Sequence, residues 1–291
     1  MTSAMIRPRR RRGAGEWAII VLLVLFLVYA LAPILYLVIS STKSNADLFG
    51  TFGFAPGNSF ALFDNLAEMT AKDDGIFWRW MLNSIAYATT SAIGAGLFAT
   101  MAGYAFAKFS FRAKKPLFAL VFVAVLVPQT ALIVPLFLLL SLTGLTNNPL
   151  GVILPSMILP IGVYMMRYYI ERAVDDGMIE AARIDGASEF RIFRDIVLRL
   201  AAPGMVTVML LAFVGNWNNY FLPLIVLRSQ ELFPVTVGLA TWYQLATAGG
   251  GSQVLFSVVI TGALCSVVPV IAVFLMLQRY WQGGLSAGAV K

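Results

Sequence analysis

The 291-residue chain has no histidine and one cysteine, Cys265, which sits inside an apolar run. Without histidine there is no imidazole acid–base chemistry, and with one cysteine there is neither a Cys/His zinc site nor an intrachain disulfide. Charge is scarce as well: 12% of residues are Asp, Glu, Lys or Arg, about half the share of an ordinary soluble domain. No Gly-rich loop ends in Gly-Lys-Ser or Gly-Lys-Thr, so the chain cannot hold a nucleotide through a P-loop.

Apolar residues fill the chain instead. They make up 59% of it, and the mean hydropathy is +0.82, the composition of an all-α polytopic membrane protein. The net charge of +7 does not point to nucleic acid, because the basic residues flank apolar runs. They read as topology signals and contacts to the lipid bilayer. Six runs are long enough to span: 17–40, 81–107, 116–141, 150–170, 203–227 and 254–277. Together they form a single transmembrane domain over 17–277, between a basic amino terminus (1–16) and a tail (278–291). The basic start resembles a secretory signal, but the 24-residue run behind it exceeds a signal core, so the first helix is expected to stay uncleaved.

The loop at 41–80 is turn-rich, with a short helix expected near Leu62–Met69. Of the 21 Lys and Arg, only Lys43, Lys72, Arg79 and Arg228 fall in the loops 41–80, 142–149 and 228–253. The positive-inside rule therefore puts both termini and the 172–202 segment in the cytoplasm.

The interiors of the six runs are read as free of ionisable residues. An ion-driven carrier, a proton relay or a voltage sensor needs such a group at depth, so any driving energy should enter from outside the membrane. Cargo is then either uncharged or handled by another subunit. Small residues recur every fourth position in the second run (Ser91, Ala95, Ala99, Gly103, Ala107), a stripe that lets helix backbones approach closely. Prolines 128, 135, 155, 160, 223 and 269 lie within apolar runs and are expected to bend their helices.

The polar groups at depth are neutral: Gln129 and Thr130 in the third run, and Asn216, Trp217, Asn218, Asn219 and Tyr220 in the fifth. Amides and aromatic faces suit a hydroxyl-rich cargo on a translocation pathway, and they equally suit hydrogen bonds between helices.

Between the fourth and fifth runs lies Glu180 to Pro203, EAARIDGASEFRIFRDIVLRLAAP, the longest stretch that could not sit in lipid. Phe190, Phe193, Ile196, Val197 and Leu200 fall near helical spacing, with charged residues largely opposite. Such a helix can lie flat on lipid or dock into a partner protein.

Glu180-Ala181-Ala182, Asp185-Gly186-Ala187, Ile196, Leu198 and Pro203 resemble the EAA loop of the permease subunits of bacterial ABC importers. Asn83-Ser84, Val127-Pro128-Gln129, Pro135, Trp217-Asn218 and the tail Gln278-Arg279-Tyr280 through Gly288 are similar to the second permease subunit of carbohydrate importers of the maltose-transporter type.

The resemblance covers nearly the whole chain. It implies a type I ABC importer permease fold with six transmembrane helices and cytoplasmic EAA coupling helices. It also implies a non-catalytic subunit in the bacterial inner membrane that carries a sugar or related neutral carbohydrate. The implied partners are a second homologous permease, two cytoplasmic ATPase subunits that bind ATP and Mg, and an extracytoplasmic solute-binding protein, with no nucleic acid. No cofactor or metal is expected in this chain.

In that family Glu180, Ala181, Ala182, Asp185, Gly186 and Ala187 would form the ATPase-coupling turn, and the Gly-rich tail either reaches between the ATPase subunits or ends freely. Many members carry Leu-Pro where this chain has Leu198-Arg199, so its helix is expected to run one turn further. Other solute classes, and a stand-alone secondary carrier, are the competing readings.

Overall fold

The computed structural model describes residues 14–248 and 256–286. The basic arginines before residue 13 and the end of the tail lie outside them. Among the described residues, five helical stretches are long and apolar enough to cross a membrane: Gly15–Ser41, Leu62–Lys108, Pro149–Ala173, Glu189–Trp217 and Phe256–Gln278. A bent pair makes a sixth candidate.

The first helix, α1 (Ala14–Ser41), is apolar on every side, and its large side chains from Trp17 to Tyr36 stay exposed apart from the half-buried Ile20. A helix of that kind needs lipid or protein as its solvent. After it, α2 (Asn45–Gly50) and α3 (Leu62–Ala71) build a cap over 42–75. The cap is held by the buried amide of Asn65, which donates to the carbonyls of Ser41 and Lys43.

The molecule is assembled around α4 (Ile76–Lys108). This helix begins earlier than the expected span, because Gly75 at φ +77 ends the preceding turn and releases the chain into helix. The small-residue stripe explains its central place. Ser91, Ala95, Ala99 and Gly103 are all buried, and a Cβ on Gly103 would lie 2.8 Å from the backbone nitrogen of Arg167. Helices α8 (Pro160–Ala173) and α11 (Leu198–Trp217) pack along α4.

The third apolar run is not one straight span. α5 (Lys114–Leu126) and the segment Gln129–Leu142, which contains α6 (Ile133–Leu142), meet at 100°. Pro128 has no N–H to continue the helix and forces Val127 into an extended conformation, φ −75 and ψ 122. The fourth run is also interrupted, between α7 (Pro149–Ser156) and α8. The fifth breaks after Trp217, and α12 (Phe221–Val226) follows. The chain closes with α13 (Val235–Thr247) and α14 (Phe256–Ser286). The backbone of α14 stays helical well past 277, so the start of the Gly-rich tail continues the last helix.

One reading of the charges is corrected. Arg167 lies six residues before the end of α8, so the fourth run is not free of charge to its end. Its guanidinium sits 3.9 Å from the centre of the Phe118 ring and 5.3 Å from that of Tyr168. Aromatic faces offset the desolvation of a cation at such a place.

Candidate functional site

The segment after α8 forms an elbow. Val174 is buried and Asp175 caps α9 (Asp176–Ile184), its carboxylate accepting from the Gly177 N–H at 3.1 Å. At the other end of α9, Gly186 adopts φ +78. The N–H of Ala187 bonds the Ala182 carbonyl at 2.9 Å, and the N–H of Gly186 bonds that of Arg183 at 3.0 Å. This is a Schellman termination, in which a left-handed residue turns the chain and satisfies the last carbonyls. A Cβ on Gly186 would meet nothing within 4 Å, so the glycine is there for its backbone angle. Asp185 is the residue just before it, at the end of the helix.

Ser188 then caps α10 (Glu189–Ile192), accepting from the Arg191 N–H. A π-helical turn over Phe193–Val197 joins α10 to α11 without a break. Helix therefore runs from Glu189 to Trp217 straight through Leu198-Arg199 and Pro203, as expected where Arg199 replaces a helix-limiting proline.

Two polar links tie the elbow to α4. Lys108, its side chain 6% exposed, forms an ion pair with Asp176 at 2.6 Å. Tyr104 donates to Glu189 at 3.3 Å, and Glu189 pairs with Arg183 across the turn at 2.7 Å. The hydrogen bond to Glu189 raises the Arg183 pKa further above its already high value, so this cation is permanent. Beneath the links, Ile170, Val174, Ile179, Ile192 and Val197 make an apolar core with Tyr104 and Met166.

What the elbow leaves outside is specific. Glu180 and Ala181 are exposed, Ala182 is half-buried, and Glu180 makes no hydrogen bond or ion pair among the described residues. Ile184 is 86% exposed. The apolar face read from the sequence splits here: Phe190 is 71% exposed and lies off the core, while Phe193 tilts against Tyr104 at 5.8 Å between ring centres. The buried face is set by Ile192 and Val197, because the π turn shifts the register by a residue. Sequence spacing carried no sign of that π turn or of the Tyr104 and Lys108 links.

The neutral polar groups divide. Gln129 and Thr130 sit exposed in the tight turn at the 100° bend, and no hydrogen bond joins them to residues 216–220. Trp217 is 4% exposed and stacks on Phe213 at 5.7 Å, as part of the core. Asn216 donates to the Ser156 carbonyl at 3.4 Å, linking the break in the fifth run to the break in the fourth. Asn218 is exposed and returns its amide to the Val214 carbonyl at 2.8 Å. The carbonyl of Asn219 accepts from Thr236, and Tyr220 meets Phe221 edge-on. Broken helices at membrane depth persist only where protein or a wet cavity covers the freed groups.

Residues 92–282 match the family described as binding-protein-dependent transport system inner membrane component. The chain is 33% identical over 265 residues to the arabinooligosaccharides transport system permease protein of Halalkalibacterium halodurans, covering 90% of this chain and 91% of that one. It is 29% identical over 272 residues to the diacetylchitobiose uptake system permease protein of Streptomyces coelicolor, covering 93% and 87%. Among solved structures it superimposes with a TM-score of 0.79, at 26% identity, on a chain of a bacterial ABC transporter involved in import of the acidic polysaccharide alginate. That match covers 94% of this chain and 99% of the other.

Proposed function

This chain belongs to the family of binding-protein-dependent transport system inner membrane components, a non-catalytic multi-pass permease of the inner membrane, and from that premise we propose that it is the permease subunit of an ATP-driven importer of a sugar or related neutral carbohydrate. It works with other transporter components. In the proposed complex these are a second homologous permease chain, two cytoplasmic ATPase subunits that hold ATP and Mg, and an extracytoplasmic solute-binding protein. Both termini and the 172–202 elbow face the cytoplasm, by the charge bias.

The observation that carries the coupling role is the division of labour in the elbow. Its inner side is anchored to α4 by Lys108–Asp176 and Tyr104–Glu189. Its outer side offers the exposed Glu180, which forms no hydrogen bond or ion pair among the described residues, beside the exposed Ile184. A surface of exposed carboxylates, Glu180 and Asp185, around the apolar Ile184 suits a cleft on another protein better than a lipid surface. ATPase closure then moves the elbow, and the spans tilt between inward- and outward-facing arrangements as a rigid-body transition. Of the seven residues read from the sequence, Trp217 belongs to the core, and Gln129, Thr130, Asn216, Asn218, Asn219 and Tyr220 are the candidate pathway, with Asn218 the exposed member of the second group.

The cargo has one alternative with an observation behind it. The structurally similar transporter imports an acidic polysaccharide, and Arg167 gives this chain a cation near the end of a span. An anionic carbohydrate is therefore the second reading.

The coupling test uses Gly186→Val in the full complex reconstituted in vesicles. A β-branched residue at φ +78 costs about 1–2 kcal/mol, and it should spare membrane insertion. Uptake is expected to fall while the ATPase subunits still hydrolyse ATP. Normal uptake by this variant would remove the coupling role.

A further inference from the structure

Among the candidate spans in the described residues, the one that contains α4 alone has no proline. Proline removes an intrahelical bond and bends its helix, so α4 is the stiff member of the bundle. Its first turns carry the Asn83-Ser84 pair, which the elbow leaves without a role.

The structure gives that pair one. On one face of α4, six hydrogen bonds converge on the backbone of 230–235. Trp80 donates to the Gln230 carbonyl at 2.8 Å, and Arg79 to that of Glu231 at 3.0 Å. Asn83 donates to the carbonyls of Glu231 at 2.8 Å and Phe233 at 3.0 Å. Tyr87 donates to Leu232 at 3.0 Å, and the Ser84 hydroxyl accepts from the Val235 N–H at 2.7 Å. An ordinary surface turn bonds its carbonyls to water. Here four successive carbonyls are taken by side chains of a single helix. Asn147 holds the start of the turn from the other side, accepting from the Arg228 and Ser229 N–H groups at 2.9 Å each.

The same helix carries Tyr104 and Lys108, which hold the elbow, some 30 Å away at 1.5 Å per residue. We propose that α4 is a strut fixing the 230–235 turn to the elbow, with Asn83 and Tyr87 as the positioning residues of its far end. A displacement of the elbow then re-aims the turn on the opposite face of the membrane. This rests on the elbow being the ATPase contact.

The experiment uses the full complex in nanodiscs, with spin labels at Phe190→Cys on the elbow or Glu231→Cys on the turn, in a Cys265→Ser background. Both side chains are exposed, Phe190 lies outside the docking surface, and the bonds of Glu231 to α4 use its carbonyl, not its side chain. In the parent protein, trapping the ATPase subunits with ATP and vanadate should shift both labels. In the Asn83→Ala/Tyr87→Phe variant the Phe190 label should still shift, the Glu231 response should be lost, and uptake per ATP should fall about tenfold, the size of a typical coupling between sites. Tyr87→Phe alone removes one hydroxyl with no loss of packing, and should give a smaller effect in the same direction if the double variant does not assemble. An unchanged Glu231 response in either variant overturns the strut. So does a parent protein in which only the Phe190 label shifts. If neither label shifts in the parent, the ATPase-contact reading fails and takes the strut with it.

Discussion

Gly186 and Gly103 show how one residue type does two jobs in this chain. Gly186 has open space around it and a backbone angle that L side chains avoid, whereas Gly103 has a helical backbone and no space. The first was legible in the sequence, because Asp-Gly after a helical run marks a left-handed termination. The second was legible only as a member of a stripe. The polar cluster separates in the same way. Trp217→Ala removes a stacked, buried ring and should destabilise the chain by about 3 kcal/mol, seen as a lower unfolding temperature of the purified complex. Asn218→Ala gives up a single bond to Val214, worth about 1 kcal/mol. It should leave that temperature nearly unchanged and reduce uptake. Unchanged transport kinetics in Asn218→Ala would return that amide to simple helix packing.

Among the elements, the breaks and the stiff helix complement each other. Pro128 and Pro160 stand at breaks in the helices around α4, helix continues through Pro203 and Pro269, and α4 itself stays whole. Its packing depends on the backbone contact with α8, where a Cβ on Gly103 would come 2.9 Å from the Met166 carbonyl carbon. Gly103→Leu must therefore push α8 away, and with it Ile170 and Val174, the floor of the elbow. The expected result is loss of ATPase-subunit co-purification along with a lower unfolding temperature. Retained co-purification would show that the elbow holds its shape without the α4–α8 contact. Pro128 foretold the bend in the third run, whereas Pro269 sits inside a continuous helix, and neither the 100° angle at Val127–Pro128 nor the meeting of two breaks through Asn216 and Ser156 could be read from the proline positions. A missing N–H says where a helix fails; the direction the chain then takes is chosen by its neighbours.

For the whole molecule, apolar length and the uneven spread of Lys and Arg carry the class of protein. A permease that draws its energy from partners should show no uptake when this chain is expressed alone in vesicles, and uptake by the isolated chain would favour a secondary carrier. The amino-acid sequence by itself determined the apolar spans, the turn at Gly186 and the family, because hydrophobicity and turn chemistry act over neighbouring residues. The tertiary structure alone decided that Phe190 faces outward, that Tyr104 and Lys108 hold the elbow, and that Asn83 holds a turn 148 residues away in the chain. Those choices depend on which faces meet when helices pack, and contacts between residues so distant in the chain leave no periodic trace in the sequence.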